Sequence, residues 1–361
     1  MEQKFDLQPF TFEGVSTKRP LIMAGPCSAE SETQVLDTAK RLAANNVKIF
    51  RAGIWKPRTR PGQFEGLGTT ALPWMKMVKE ETKMYTATEV ANAKHVYEAL
   101  KWGIDILWIG ARTTANPFSV QEIADALRGV DIAVMVKNPV NPDLELWMGA
   151  LERLYMCGIT RLAACHRGFS IFEKQEFRND PNWQIPIALK TRMPNMPVIT
   201  DPSHICGNRT GLLSVSQTAM DLNFDGLIIE THPDPDKAWS DAKQQITPEA
   251  LSELLSKLVI REAEENVQSS EHTLEDLRQK IDKIDDSILD IFEKRMIVAE
   301  QIGQYKKDHN LSILQSKRWE EILQKRIAMS AKKNLSAEFT DTIFKAIHQE
   351  SINHQTKIMN S

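Results

Sequence analysis

The sequence predicts an α/β fold, a (β/α)₈ barrel of the TIM type, followed by a small all-helical domain. Two observations carry the barrel. About eight short apolar runs alternate with amphipathic stretches between Leu21 and Ile260, the count such a barrel needs. Within each run the residues do not alternate apolar and polar, which marks strands buried on both faces, as in a parallel sheet. A third observation carries the appendage: from Leu274 onward strand signals cease and helical periodicity replaces them. No glycine-rich dinucleotide fingerprint follows the first run, which argues against a doubly wound sheet.

Taken in order, the runs are 21–25, 48–53, 84–90, 105–111, 132–138, 160–168, 197–204 and 226–232. Between them, 32–44, 91–102, 143–156 and 211–222 have helical spacing. Each run ends in polar or charged residues: Cys27 and Ser28, Arg51, Glu89, Arg112, Lys137, Arg167, His204 and Glu230. A barrel gathers the carboxyl ends of its strands on one face, where active sites sit, so these scattered residues are expected to share one pocket. The stretch 261–273 is polar and aperiodic and reads as a linker. The expected division is a barrel over 1–262, a linker over 263–272 and a helical domain over 273–361.

The 361 residues carry 45 Lys+Arg against 48 Asp+Glu, a net charge of -3. That balance gives no support for a nucleic-acid or membrane partner. No run of ~18 apolar residues suggests a membrane span, and the opening MEQKFDLQPF lacks the apolar core of a signal peptide. Cys27, Cys157, Cys165 and Cys206 show no disulfide-framework spacing. A reducing cytoplasm is the expected compartment.

The chemistry concentrates in FRAGIWKPRTRPGQFEGLG, residues 50–68. Arg51, Lys56, Arg58 and Arg60 crowd cations into a strand end and a loop that Gly53, Pro57, Pro61 and Gly62 keep out of helix. Arg forks match phosphate oxygens. Cys27, His204, Glu230 and Asp241 are metal-ligand types, a mixed set suited to Mn²⁺, Fe²⁺, Co²⁺ or Zn²⁺. Around them Arg51, Arg112, Lys137 and Arg167 can clamp a carboxylate-plus-phosphate ligand, while Lys56, Arg58 and Thr59 can hold a second phosphate.

GPCS at 25–28, RAGIWKPRT at 51–59, IGAR at 109–112, VKN at 136–138, HRG at 166–168, DPSH at 201–204, IIETHPDP and WSDAKQQ occur in order. Together they resemble a short type I-beta DAHP synthase over roughly 21–260. The resemblance implies condensation of phosphoenolpyruvate with erythrose 4-phosphate, the committing step of the shikimate pathway. It implies Cys27, His204, Glu230 and Asp241 as metal ligands. It implies Arg51, Arg112, Lys137 and Arg167, with the backbone at Gly110 and Ala111, as the phosphoenolpyruvate site. Lys56, Pro57, Arg58 and Thr59 are implied for erythrose 4-phosphate. Lys56 is the expected proton donor and Glu89 the expected water-orienting residue. KDO phosphate synthase is the related alternative, and the KPRT motif argues against it.

In the C-terminal part, 273–308 reads as one long helix with Thr273 as its N-cap and Leu274, Leu277, Ile281, Ile284, Ile288, Ile291, Val298 and Ile302 as its apolar stripe. Its ~54 Å is too long for a small domain to cover alone, so a partner chain is expected. Shorter helices are expected near 316–330 and 336–354, with a frayed tail from His354. Arg295 and Lys306 lie about three turns apart and face the same way, whereas Arg278 is ~26 Å from Arg295 along the axis. LRQKIDKIDDSILDIFEKR, IGQYK, ILQSKRWEEIL and ESINHQ resemble an all-helical chorismate mutase over roughly 274–357. The resemblance implies a cofactor-free site made by Arg278 of a partner chain with Arg295, Lys306, Arg318, Ser351 and Gln355. Two positions depart from the pattern: Trp319 stands where an acid usually follows the third arginine, and Gln315 where an Asp is common. The expected function is therefore bifunctional, with feedback by prephenate or chorismate. The alternative is a DAHP synthase whose helical domain only dimerises and senses ligand.

Overall fold

The computed structural model describes residues 5–56, 62–170, 176–261 and 271–361, with the backbone alone at 271–274 and 316. The chain divides into two units, Met1–Ala263 and Glu264–Ser361.

In the first unit the strands β1 (Leu21–Gly25), β2 (Ile49–Arg51), β3 (Tyr85–Val90), β4 (Ile106–Ile109), β5 (Ala133–Lys137), β6 (Leu162–His166), β7 (Val198–Thr200) and β8 (Gly226–Glu230) form a closed parallel barrel in sequence order. Closure pairs β1 with β8 in a register that sets Gly25 beside Glu230, so the polar ends of the first and last strands stand level. Around the barrel lie α1 (Glu32–Ala44), α2 (Leu72–Thr82), α3 (Ala93–Lys101), α4 (Ala111–Thr114), α5 (Pro117–Ala126), α6 (Leu144–Met156), α7 (Gln184–Arg192), α8 (Pro202–Cys206), α9 (Leu212–Asp221) and α10 (Pro248–Ser256).

The unbroken apolar character of the strands has a direct cause. Met23, Ile49, Ala87, Ile106, Trp108, Met135, Cys165, Ile199 and Ile228 point into the barrel, where Phe10 and Phe12 join them. Ala24, Phe50, Leu107, Val134, Ala164, Val198 and Ile229 point out against the helices. Both faces are dry, so neither selects polar residues. Local capping starts the helices where the sequence allows. Ser31, Asn92, Asn116, Asp143 and Thr247 each accept a hydrogen bond from the first turn of the helix that follows.

The second unit holds α11 (Glu271–Asp308), α12 (Ser316–Ala331) and α13 (Ala337–Asn360), with α11 and α12 each packed on α13. Gly303 permits a close approach of α11 to α13: a Cβ there would lie 3.1 Å from Gln355 Cα. Two expectations need correction. The long helix already runs from Glu271, so Thr273 lies within it and does not cap it. The tail after His354 is helical to Asn360. It contains no glycine or proline to end a helix, and Gln355 is buried within it. Among the described residues, no helix is long and apolar enough to cross a membrane.

Candidate active sites

The loops after β1 and β8 are tied together by buried polar groups. The Cys27 backbone N–H donates to Gln245 Oε1 at 2.9 Å, and Gln245 Nε2 donates to the Ser240 carbonyl at 2.8 Å. Ser28 Oγ donates to Glu30 Oε1 at 3.0 Å and lies 2.6 Å from Ser240 Oγ, while the Trp239 N–H also donates to Glu30 Oε1. This network brings Cys27 and Asp241 together across more than half the chain. Ligand atoms of Cys27, Glu230 and Asp241 lie within 4.8 Å of one another.

His204 stands at the edge of that cluster, its Nε2 3.8 Å from Glu230 Oε1. The DPSH motif explains its position. Asp201 caps α8 by accepting from the His204 N–H at 3.1 Å, and Pro202 occupies the first helical position. Asp201 Oδ2 also lies 2.8 Å from His204 Nδ1, though not in line for a hydrogen bond, and accepts from Lys137 Nζ at 2.7 Å. A carboxylate behind one imidazole nitrogen leaves the other to face the cluster, the usual arrangement around a metal-binding histidine. Gln244 Nε2 and Arg51 hold the two oxygens of Glu230 at 2.7 and 2.9 Å. Arg178 holds Asp241 Oδ1 at 3.1 Å.

The electrostatics suit a cation. Burial pushes the Cys27 thiol up to about 12, with Glu230 adding to the effect. Burial also acts to raise the carboxyl of Glu230, but His204, Arg51 and Lys56 outweigh it and the net shift is down. The same holds for Asp241, where Arg178, His204 and Lys56 prevail. One soft sulfur, one imidazole and two ionised carboxylates in a dry pocket fit a divalent transition metal.

Beside the cluster is a cavity of about 110 Å³ lined by Lys56, Glu89, Gly110, Ala111, Arg112, Lys137, Arg167, Arg178, His204 and Asp241. Residues from β2 to β8 and their loops thus meet as the barrel topology requires. Glu89 is held by Trp108 Nε1 at 2.9 Å and abuts Gly110, where a Cβ would lie only 2.2 Å from Glu89 Oε1. Burial, with Arg178 and Arg112 nearby, pushes Arg167 down to about 10, still cationic at neutral pH. Arg51 does not line this cavity. It is fully buried behind the cluster against Trp108, with its Nε unpartnered among the described residues. Pro57, Arg58 and Thr59 lie outside the described residues. Sequence reading missed Arg178, Glu30 and Gln245. None ends an apolar run, so no periodic signal marked them.

The second unit has its own cavity, about 380 Å³, lined by Arg295, Lys306, Arg318, Ser351 and Gln355 among others. Arg295 donates to Ser351 Oγ, Lys306 to the Ile313 carbonyl, and Gln355 Oε1 is buried without a partner among the described residues. Arg278 is not part of it. It is exposed near Glu275, farther along α11. Sequence reading also missed His348, which lines this cavity. Its place on α13, three and seven residues before Ser351 and Gln355, was the available signal.

A parallel barrel with metal-type donors beside a row of cations at one end defines an enzyme acting on small, multiply anionic substrates. The family comparisons agree. Residues 12–268 match the DAHP synthetase I family model, and residues 277–356 match that of chorismate mutase type II. The chain belongs to the DAHP synthetase I family. A phospho-2-dehydro-3-deoxyheptonate aldolase of Thermotoga maritima is 32% identical over 237 residues, covering 66% of this chain and 68% of that protein. A 2-dehydro-3-deoxyphosphooctonate aldolase of Desulfotalea psychrophila is 28% identical over 265 residues, 68% and 91% of the two chains. The crystal structure of a T. maritima DAHP synthase superposes with a TM-score of 0.60 at 30% identity, covering 67% of this chain and 68% of that one. The chain therefore joins two enzymes, a DAHP synthase and a chorismate mutase.

Proposed function

We propose that the barrel cavity condenses phosphoenolpyruvate with erythrose 4-phosphate and that the helical cavity converts chorismate to prephenate, with the residues dividing as follows. Cys27, His204, Glu230 and Asp241 would hold the divalent metal, Mn²⁺, Fe²⁺, Co²⁺ or Zn²⁺, which when bound supplies polarisation of the aldose carbonyl. Arg112, Lys137 and Arg167, with the Gly110 and Ala111 backbone, take the carboxylate and phosphate of phosphoenolpyruvate. Arg51 joins them through its Nε, which has no partner among the described residues. Lys56, Pro57, Arg58 and Thr59 take erythrose 4-phosphate. Carbon 3 of phosphoenolpyruvate attacks the aldehyde, Lys56 protonates the resulting alkoxide to the new hydroxyl, and Glu89 orients the water that adds at carbon 2. Of that water's two protons, one returns to Lys56 and the other leaves with the phosphate as the carbon 2–phosphate bond breaks to give the ketone. The observation that supports this reading is the shared position of Lys56, Glu89, His204 and Asp241 on one cavity wall with the cations.

In the helical domain, Arg295, Lys306 and Arg318 bind the two carboxylates and the ether oxygen, with Ser351 and Gln355. Catalysis there rests on holding the reactive conformer and stabilising charge on the ether oxygen, chiefly by Arg295, Lys306 and Gln355. Arg278 enters the site of a second copy. In support, α11 leaves Leu277, Ile281, Ile284, Ile288 and Ile291 in water, a stripe that a homodimer would cover. Prephenate or chorismate bound in this domain would feed back on the synthase. The four cysteines are all free and buried, consistent with a cytoplasmic protein.

The experiment is a rate assay of the intact chain with both substrate pairs, after metal removal and after return of each of the four metals singly. Synthase activity that returns with metal, beside a mutase rate indifferent to it, is expected. Synthase turnover unaffected by chelation would overturn the metal assignment.

A further inference from the structure

Trp319 of α12 and His348 of α13 stack inside the helical-domain cavity, ring centroids 3.9 Å apart and 14° from parallel. The cavity's cations account for the anionic groups of its substrate. His348 has no such role. Its ring nitrogens make no hydrogen bond with any described residue. Stacking on the indole fixes the plane of the imidazole and leaves its edge, with one donor and one acceptor nitrogen, to face a ligand. Burial, with Arg295 and Lys306 close by, pushes its pKa below the ordinary histidine value, so the ring is neutral at neutral pH.

Chorismate carries two carboxylates, an ether oxygen and one ring hydroxyl. Trp319 stands where an acid, able to accept from a hydroxyl, usually follows the third arginine, whereas an indole N–H can only donate. We propose that His348, held in plane by Trp319, recognises the ring hydroxyl and is a specificity-determining residue of the mutase site. The inference rests on the mutase reading of this cavity. Gln315 also lines the cavity and is the competing polar side chain.

The test uses the intact chain and measures chorismate consumption, with the helical content and thermal transition of the helical domain, followed by circular dichroism, as the check on folding. His348→Phe keeps a stacked ring without nitrogens, and His348→Asn restores a donor and an acceptor. Both are compared with wild type on chorismate and on an analogue whose ring hydroxyl is replaced by hydrogen. His348→Phe is expected to lower kcat/KM for chorismate about tenfold, the worth of one buried hydrogen bond. His348→Asn is expected to recover most of it, and wild type and His348→Phe to converge on the deoxy analogue. Equal losses on both substrates, an unchanged His348→Phe enzyme, or convergence produced by Gln315→Leu instead would overturn the proposal alone. A wild-type chain that leaves chorismate untouched would overturn the mutase reading and the proposal with it.

Discussion

Lys56 Nζ donates to Cys27 Sγ at 3.1 Å, joining the loop after β2 to the loop after β1. The contact links the KPRT segment, which begins at Lys56, to the cluster of metal-type donors. The two functions proposed for the barrel, binding an aldose phosphate and holding a metal, therefore meet at one pair of atoms.

Replacing Cys27 by Ala is expected to abolish DAHP formation while leaving chorismate consumption within about twofold of wild type, since the thiol serves one domain only. EDTA should act with the same selectivity. Elemental analysis alongside the rates decides the matter: unchanged metal content with a wild-type synthase rate would remove Cys27 from the ligand set.

Arg58→Ala is expected to raise KM for erythrose 4-phosphate at least about tenfold and to move KM for phosphoenolpyruvate much less. A charge-assisted hydrogen bond is worth ~1.5–3 kcal/mol. Steady-state kinetics varying each substrate in turn would show equal effects if the cations are not divided as proposed.

Arg278 and Arg295 should complement each other across a dimer, because ~26 Å of helix separates them within one chain. Arg278→Ala and Arg295→Ala chains, each inactive as a mutase, are mixed under subunit exchange. A two-fold heterodimer has one site with both defects and one with neither, so each heterodimer recovers about half the wild-type activity. No recovery, with heterodimers confirmed by native mass spectrometry, would mean that the arginines do not meet across the interface.

His166 should make the barrel acid-sensitive. Burial pushes its pKa down to about 4. Nε2 lies 2.6 Å from the Pro181 carbonyl and must donate to it, while Nδ1 is buried with no partner among the described residues. Protonating Nδ1 would create an unpaired buried N–H. A base whose pKa falls on folding binds fewer protons folded than unfolded, so its contribution is complete above the unfolded value of about 6.5 and is lost as pH falls towards 4. The span corresponds to about 3 kcal/mol. Thermal melts of the barrel transition between those pH values should slope less for His166→Phe than for wild type, and parallel slopes would rule the effect out.

Much of the barrel was legible because its physics is local. A strand dry on both faces must be apolar throughout, so the eight runs announced themselves. The stretch 32–44, read from its helical spacing, coincides with α1, and the structure adds the Ser31 cap on its first turn. The strand-end residues were found together because one topological rule, all strand ends on one face, applies to every run.

What the sequence by itself determined is the period, the order and the chemical inventory: eight apolar runs, a long amphipathic helix, four metal-type donors and a set of cations. These depend on neighbours within a few residues, and any reader of the chain recovers them. Only the tertiary structure decided which of those groups touch. It placed Arg51 behind Glu230 and off the cavity wall, brought Arg178 to Asp241, spanned Glu30 to Trp239 across the loops, and stacked Trp319 on His348 from separate helices. Such contacts depend on barrel closure and helix packing, which bring distant residues within a few ångströms, and no local pattern carries that information.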